Sequence, residues 1–275
     1  MTDQLPFLPS KDTQQYDAEV PALIWDANSN LRVNNIDFRL SHDTSELKRE
    51  SSTAESFILG KPRHMVERAV SIAARRRVSN IFEIGILHGG SVVLYDLVFS
   101  PTRMVAIDHV PEPVKVLDDY IARHDKAEVI RPYYGVSQSD RTAMEGLLSA
   151  EFPQRDIDLI IDDASHYYDE TRAAFNICFP FLSPGGLYLI EDWAWAHWNG
   201  DYWQGKDSFF AGKTALSNLL IELFMLSASR PDLIENLFID HNMLVVCKGD
   251  GTMPQSRFNI GDHYLLRGKK LEPWL

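Results

Sequence analysis

The chain has 275 residues, 45% of them apolar, and 27 basic against 39 acidic side chains, a net charge of −12. That apolar share supports one well-packed α/β unit with an extension, while the acidity disfavours nucleic acid and anionic membranes, whose phosphates it would repel. No apolar run reaches the roughly 18–20 residues that span a bilayer.

The first thirty residues lack the basic and apolar regions of a signal peptide. Residues 1–60 read as an N-terminal extension with little regular structure and short apolar patches at 5–9, 20–25 and 34–38. It is expected to pack on the main domain as a lid or oligomer contact. Residues 61–78 space Met65, Val66, Ala69, Val70, Ile72 and Ala73 along one helical face. Strand and helix signals alternate from there. Strands are predicted over 79–85, 103–108, 127–131, 156–162 and 186–191, with helices over 91–99, 112–124, 139–148 and 169–182. An aromatic loop at 193–212 leads to a helix over 213–229 and two strands, 237–240 and 243–248. This order predicts a Rossmann-like, doubly wound α/β sheet over residues 61–275. Cys178 and Cys247 lie in apolar segments and read as buried thiols of a reducing cytoplasm.

The first strand of the alternation ends Phe82-Glu83-Ile84-Gly85-Ile86-Leu87-His88-Gly89-Gly90-Ser91. Glycines permit a sharp turn and close approach to a ligand, and Ser91 is expected to cap the helix that follows. The spacing Glu-x-Gly-x-x-x-Gly is not the Gly-x-Gly-x-x-Gly that cradles a pyrophosphate. An acid opening the loop suits a ligand with an ammonium group and no phosphate, such as S-adenosylmethionine. Asp108 ends the next strand 23 residues after Gly85, close to the ~20 expected of an acid that grips ribose hydroxyls. Glu83, Gly85, Gly89, Gly90, Ser91 and Asp108 are therefore candidate cofactor contacts.

Two later strands also end in acids, at Asp162-Asp163 and at Glu191-Asp192. Neighbouring strands would bring these carboxylates together, and the repulsion would raise their pKa values unless a cation such as Mg²⁺ compensated it. His166, three residues past Asp163, is a natural base for a hydroxyl acidified by that metal. Asp162 is either a cofactor contact or a structural cap. Trp193, Trp195, Trp198, Tyr202 and Trp203, with Phe209-Phe210, form core, subunit contact or an apolar wall beside the metal. His197 is a second candidate base.

The glycine loop, Asp162-Asp163-Ala164-Ser165-His166 and Pro184-Gly185-Gly186…Glu191-Asp192 resemble the metal-dependent sugar O-methyltransferases of natural-product biosynthesis. Cephalosporin hydroxylase-like proteins share that pattern, and the resemblance covers roughly residues 60–250. It implies a class I methyltransferase fold with seven strands. It also implies Asp163, Glu191 and Asp192 as Mg²⁺ ligands, Asp163 also beside the cofactor, and His166 as the base. Ser137 and Gln138 fall in the adenine-side loop, which carries one residue more than the family's; Ala164 replaces the family's usual Gly. The implied function is S-adenosylmethionine-dependent O-methylation of a sugar or polyketide hydroxyl in antibiotic biosynthesis, by a cytoplasmic homo-oligomer. The same fold running a non-methylating step, hydroxylation or cyclisation, is the alternative.

Overall fold

A computed structural model of the chain describes residues 20–27, 30–41, 52–253 and 257–264. The apolar patch at 5–9 lies outside the described residues. Where the sequence predicts little regular structure, four short strands form a sheet of their own: β1 (Leu23–Trp25), β2 (Leu31–Val33), β3 (Ile36–Leu40) and β4 (Ser56–Leu59). Runs this short carry no legible alternation. Asn34-Asn35 turns β2 into antiparallel β3, with Asn34 at φ +52°, a conformation that asparagine tolerates. The parallel β3–β4 pairing is non-local and leaves no mark in the local pattern.

The strand–helix alternation then follows. Its elements are α1 (Arg63–Ala73), β5 (Asn80–Ile84), α2 (Gly90–Phe99), β6 (Arg103–Asp108), α3 (Lys115–Arg123), β7 (Ile130–Tyr134), α4 (Arg141–Glu151), β8 (Ile157–Asp162), α5 (Tyr168–Cys178) and β9 (Leu182–Glu191). After a short helical turn α6 (Asp201–Gln204) come α7 (Ser217–Ser229), β10 (Ile234–Ile239) and β11 (Met243–Lys248). The larger sheet runs β10-β11-β9-β8-β5-β6-β7. Strands β5 to β9 are mutually parallel where they pair, and β11 is antiparallel to both of its neighbours. The predicted strand 127–131 moves to Ile130–Tyr134 and includes Pro132. The position is an edge strand, where a missing backbone donor is tolerated. No described helix is long and apolar enough to cross a membrane, and Cys178 and Cys247 are buried and not joined in a disulfide.

Two cores flank the sheet. Ile81, Leu159, Leu187 and Leu189 face one that also contains Phe38 and Phe57 of the N-terminal sheet and Val92 and Tyr95 of α2. Phe82, Ile160, Tyr188 and Ile190 face the other, with Met144, Phe175 and Leu223. The N-terminal strands thus share a core with the larger sheet. Each fully buried phenylalanine there contributes about 1.5–3 kcal/mol. The period-two alternation sends Glu83 and Glu191 toward the first core and Asp162 toward the second. The carboxyl ends of β5, β6, β8 and β9 share one sheet edge. The chain order reverses between β5 and β8, where ligands of open α/β sheets bind.

Candidate active site

The loop after β5 is built on contacts only glycine allows. Gly85 has φ +105°, and a Cβ there would stand 2.1 Å from the backbone oxygen of Asp163. Gly89, at φ +79°, is the N-cap of α2, and no side chain caps that helix. Ser91 is therefore not the cap predicted from sequence; the left-handed turn at Gly89 moves the helix start ahead of it, and Ser91 lies buried in the first turn. A Cβ on Gly90 would meet the oxygen of Ile58 in β4 at 2.1 Å, so the loop is pinned between β8 and the N-terminal sheet.

Asp108 clamps the same loop. Its Oδ2 accepts hydrogen bonds from the amides of Ile86 (2.9 Å) and Leu87 (3.0 Å), and its Oδ1 accepts from Val110 (2.9 Å). The amide of Val136 bonds the Asp108 carbonyl, which brings the exposed Ser137 beside it. A carboxylate and a hydroxyl next to a glycine loop that lacks a phosphate cradle suit a hydroxyl-bearing nucleoside such as an adenosyl group. Gln138 instead points inward. Its Nε2 lies 3.5 Å from Asp162 Oδ1, and its Oε1 accepts from the amide of Ser165 at 3.1 Å. Asp162 also accepts from Tyr188 at 3.2 Å. It is therefore a buried acceptor that steadies the β8 end, and burial pushes its pKa up to about 8 against the Tyr188 hydrogen bond.

A residue absent from the sequence expectations occupies the centre. Lys61, 2% exposed, stands 2.5 Å from Asp163 Oδ2 and also bonds Glu191 Oε2. Tyr95 completes the pocket floor, 3.4 Å from Glu191 Oε1. Burial opposes charge on all three members of the cluster, and the outcome is uneven. Lys61 is held well above the usual lysine range by Asp163 and Glu191. Asp163 is held below the carboxylate range by Lys61 and then His166. Glu191, beside a like charge, is pushed well up despite Lys61. Lysines are almost never fully buried unless paired, and position 61, between β4 and α1, carries no periodic signal that would mark it.

Glu83 lies fully buried on the same face, away from the loop surface where an ammonium contact was expected. Burial pushes its pKa from 4.5 up to about 8, with Lys61 pulling the other way. A carboxyl raised in the folded state lends stability that is full below the unfolded pKa and is lost as pH rises through the folded one. Glu83→Gln removes this slope. Its stability advantage over the wild type grows by about 3.5 kcal/mol between pH 5 and pH 8 and then levels off. Thermal melts across that range check it, and parallel curves would refute it.

His166 and Asp192 both hold left-handed backbone, at φ +58° and +51°. Such strain in non-glycine residues concentrates at functional sites. His166 Nδ1 lies 3.2 Å from the Glu191 carbonyl and Nε2 lies 3.7 Å from Asp163 Oδ1. A carbonyl only accepts, so the ring donates through Nδ1, and Nε2 is the nitrogen that faces Asp163. Asn242, on the β10–β11 turn, donates to Asp192 Oδ1 at 3.1 Å. Ligand atoms of Asp163, His166 and Asp192 all lie within 4.8 Å of one another. The two carboxylates so placed fit a divalent cation, with the imidazole beside them. Glu191, expected among the ligands, is turned toward Lys61 and Tyr95.

A second such group, His64, Asp240 and His241, sits on the β10–β11 turn and α1. Its carboxylate is committed to the fold: Asp240 Oδ1 accepts from the amides of Asn242 and Met243, and Oδ2 pairs with Arg68 at 2.9 Å.

The aromatic segment divides. Trp195 and Phe210 are buried and stack at 4.5 Å, and Trp195 Nε1 donates to the His166 carbonyl at 2.8 Å. Tyr202 and Phe209 are exposed, Phe209 by 67%, and Phe209 packs 5.3 Å from the ring of Tyr167, next to His166. His197 is exposed and bonds Ser217, which leaves it outside the cluster.

Residues 82–193 match the family described as "Methyltransferase domain". The chain is 29% identical over 164 residues to 8-demethyl-8-alpha-L-rhamnosyl tetracenomycin-C 2'-O-methyltransferase of Streptomyces olivaceus, covering 48% of this chain and 43% of that protein. It is 35% identical over 107 residues to demethylmacrocin O-methyltransferase of Streptomyces fradiae, covering 34% and 26%. The chain thus spans less than half the length of these relatives. Among solved structures, MycE methyltransferase from the mycinamycin biosynthetic pathway, in complex with Mg and SAH, superposes with a TM-score of 0.51 at 22% identity, over 71% of this chain and 51% of that one. SAH-bound Podospora anserina methyltransferase PaMTH1 gives 0.50 at 16% identity, over 69% and 80%. The seven-stranded sheet has the class I methyltransferase fold.

Proposed function

We propose that this chain, whose residues 82–193 match the methyltransferase-domain family, is an S-adenosylmethionine-dependent, divalent-metal-assisted O-methyltransferase acting on a sugar hydroxyl of a natural product. The observation that carries this reading is His166, its Nδ1 held by the Glu191 carbonyl and its Nε2 turned to the Asp163 carboxylate, at the sheet edge that also holds the Asp108-clamped glycine loop. The rhamnosyl group in the name of the Streptomyces olivaceus relative supports a glycosylated acceptor.

Bound S-adenosylmethionine would supply an electrophilic methyl group. The loop from Gly85 to Gly90, Asp108 and Ser137 would hold it. A bound divalent cation would lower the pKa of the acceptor hydroxyl. Asp163 and Asp192 would hold it, with Glu191 joining them on release from Lys61. The Glu191 carbonyl fixes the His166 tautomer, so Nε2 accepts the hydroxyl proton. Asn242 orients Asp192. Tyr167, Tyr202 and Phe209 would cover the acceptor's apolar body and exclude water.

Incubation with S-adenosylmethionine, Mg²⁺ and a glycosylated polyketide is expected to yield a product heavier by one CH₂ group. Chelation should lower turnover at least about 100-fold, with recovery on adding Mg²⁺ back. A product heavier by an oxygen atom would move the reading to hydroxylation. Full turnover after chelation would remove the metal from it.

A further inference from the structure

Lys61 enters the acidic cluster from outside the strand–helix alternation, at the junction of β4 and α1. The segment that delivers it is bolted to the glycine loop. Ser52 Oγ donates to the His88 carbonyl at 2.9 Å and accepts from the Ile58 amide at 3.0 Å. The Ile58 oxygen fills the space that a Cβ on Gly90 would need. Three residues further on, the Lys61 ammonium sits between Asp163 and Glu191, the carboxylates at the ends of β8 and β9.

Two carboxylates gathered around one buried ammonium, Glu191 buried and Asp163 partly so, need a positive partner. A divalent cation is one answer, and the structure contains another in the chain itself. The oxygens that Lys61 holds, Asp163 Oδ2 and Glu191 Oε2, are oxygens a metal would also draw on. An ammonium and a divalent cation repel strongly at such range, so they compete for Glu191.

We propose that Lys61 is the resident counter-ion of the acidic cluster, a positioning residue that holds Glu191 and Asp163 in the metal-free protein and sets divalent-cation affinity by competing for their oxygens. This rests on the metal-assisted reading above. It makes the affinity of the metal site a property of the N-terminal segment as well as of the strand ends. Because that segment is pinned to the glycine loop, occupancy of the metal site and packing of the loop are mechanically linked.

Mn²⁺ binding to the full chain, followed by the electron paramagnetic resonance signal of free Mn²⁺, tests the idea with Lys61→Met and Lys61→Arg. Lys61→Met is expected to bind Mn²⁺ at least tenfold more tightly than the wild type. Its metal-free form should melt at a lower temperature, and Mn²⁺ should raise its melting temperature more than the wild type's. Lys61→Arg should stay near the wild type on each count. Equal Mn²⁺ affinity of Lys61→Met and wild type, or an unchanged metal-free melting temperature, would overturn the proposal. Absence of Mn²⁺ binding in both proteins would instead overturn the metal-assisted reading, and the competition with it. If Lys61→Met fails to fold as purified, refolding from urea decides: recovery with Mn²⁺ but not without it is the expected result, and failure in both overturns the counter-ion role.

Discussion

Replacing His166 by alanine is expected to lower the rate of methyl transfer by about 100- to 10,000-fold, the range over which a positioned general base acts. The loss falls on kcat, and binding of S-adenosylmethionine is unaffected. The described hydrogen-bond and ionic partners of His166 are the Glu191 carbonyl, Asp163 and Trp195, none of them in the glycine loop. The variant keeps the hydrogen bond from the Trp195 indole Nε1 to the residue 166 carbonyl. The left-handed φ of +58° costs a β-carbon residue about 1–2 kcal/mol, which His166 already bears. His166→Asn is the companion variant, because asparagine tolerates this conformation. Single-turnover rates separate chemistry from binding. An alanine variant with wild-type kcat would remove His166 from the proton transfer and reopen the choice of base.

Gly85→Ala is expected to destabilise the protein by at least about 3 kcal/mol and to abolish cofactor binding. Two separate costs coincide there. The φ of +105° is a conformation side chains rarely adopt, and the added Cβ would stand 2.1 Å from the Asp163 oxygen. That oxygen is backbone at the end of β8, and the Asp163 amide is tied to the Ile84 carbonyl at 2.9 Å, so the neighbour cannot swing away. Relief requires the glycine loop and the β8 end to separate, which moves the proposed cofactor contacts and metal ligands together. For a chain of this size the loss lowers the melting temperature by about 6–12 °C. Gly146→Ala is the control: its Cβ meets nothing within 4 Å, and in mid-helix α4 it gains about 0.5–1 kcal/mol. Calorimetry and titration with S-adenosylhomocysteine check both. A Gly85→Ala protein that melts and binds like the wild type would show the strand ends to be far more yielding than this packing implies.

The legibility of this chain followed the range of the interactions involved. Strand–helix alternation and strand ends are local, and so the doubly wound sheet, the glycine loop and the acids at Asp108, Asp162-Asp163 and Glu191-Asp192 could be read directly. The fall of Pro132 inside β7 depended on that strand lying at an edge, a fact of sheet order. The cap expected at Ser91 was displaced by the left-handed backbone of Gly89. The N-terminal sheet was missed because its strands are short and β3 pairs with β4 across a long intervening segment.

By itself the sequence determined the fold class and which sheet edge gathers the candidate site residues, because periodicity and turn residues act between near neighbours. Only the tertiary structure decided how the charges there are shared. Lys61 reaches Asp163 across 102 positions of chain and Glu191 across 130. Gln138 braces Asp162, Asn242 orients Asp192, and the Glu191 carbonyl selects the His166 tautomer. A buried ion pair or a tautomer-setting hydrogen bond is satisfied by whatever group the fold brings within about 3 Å, and no local pattern records that partner.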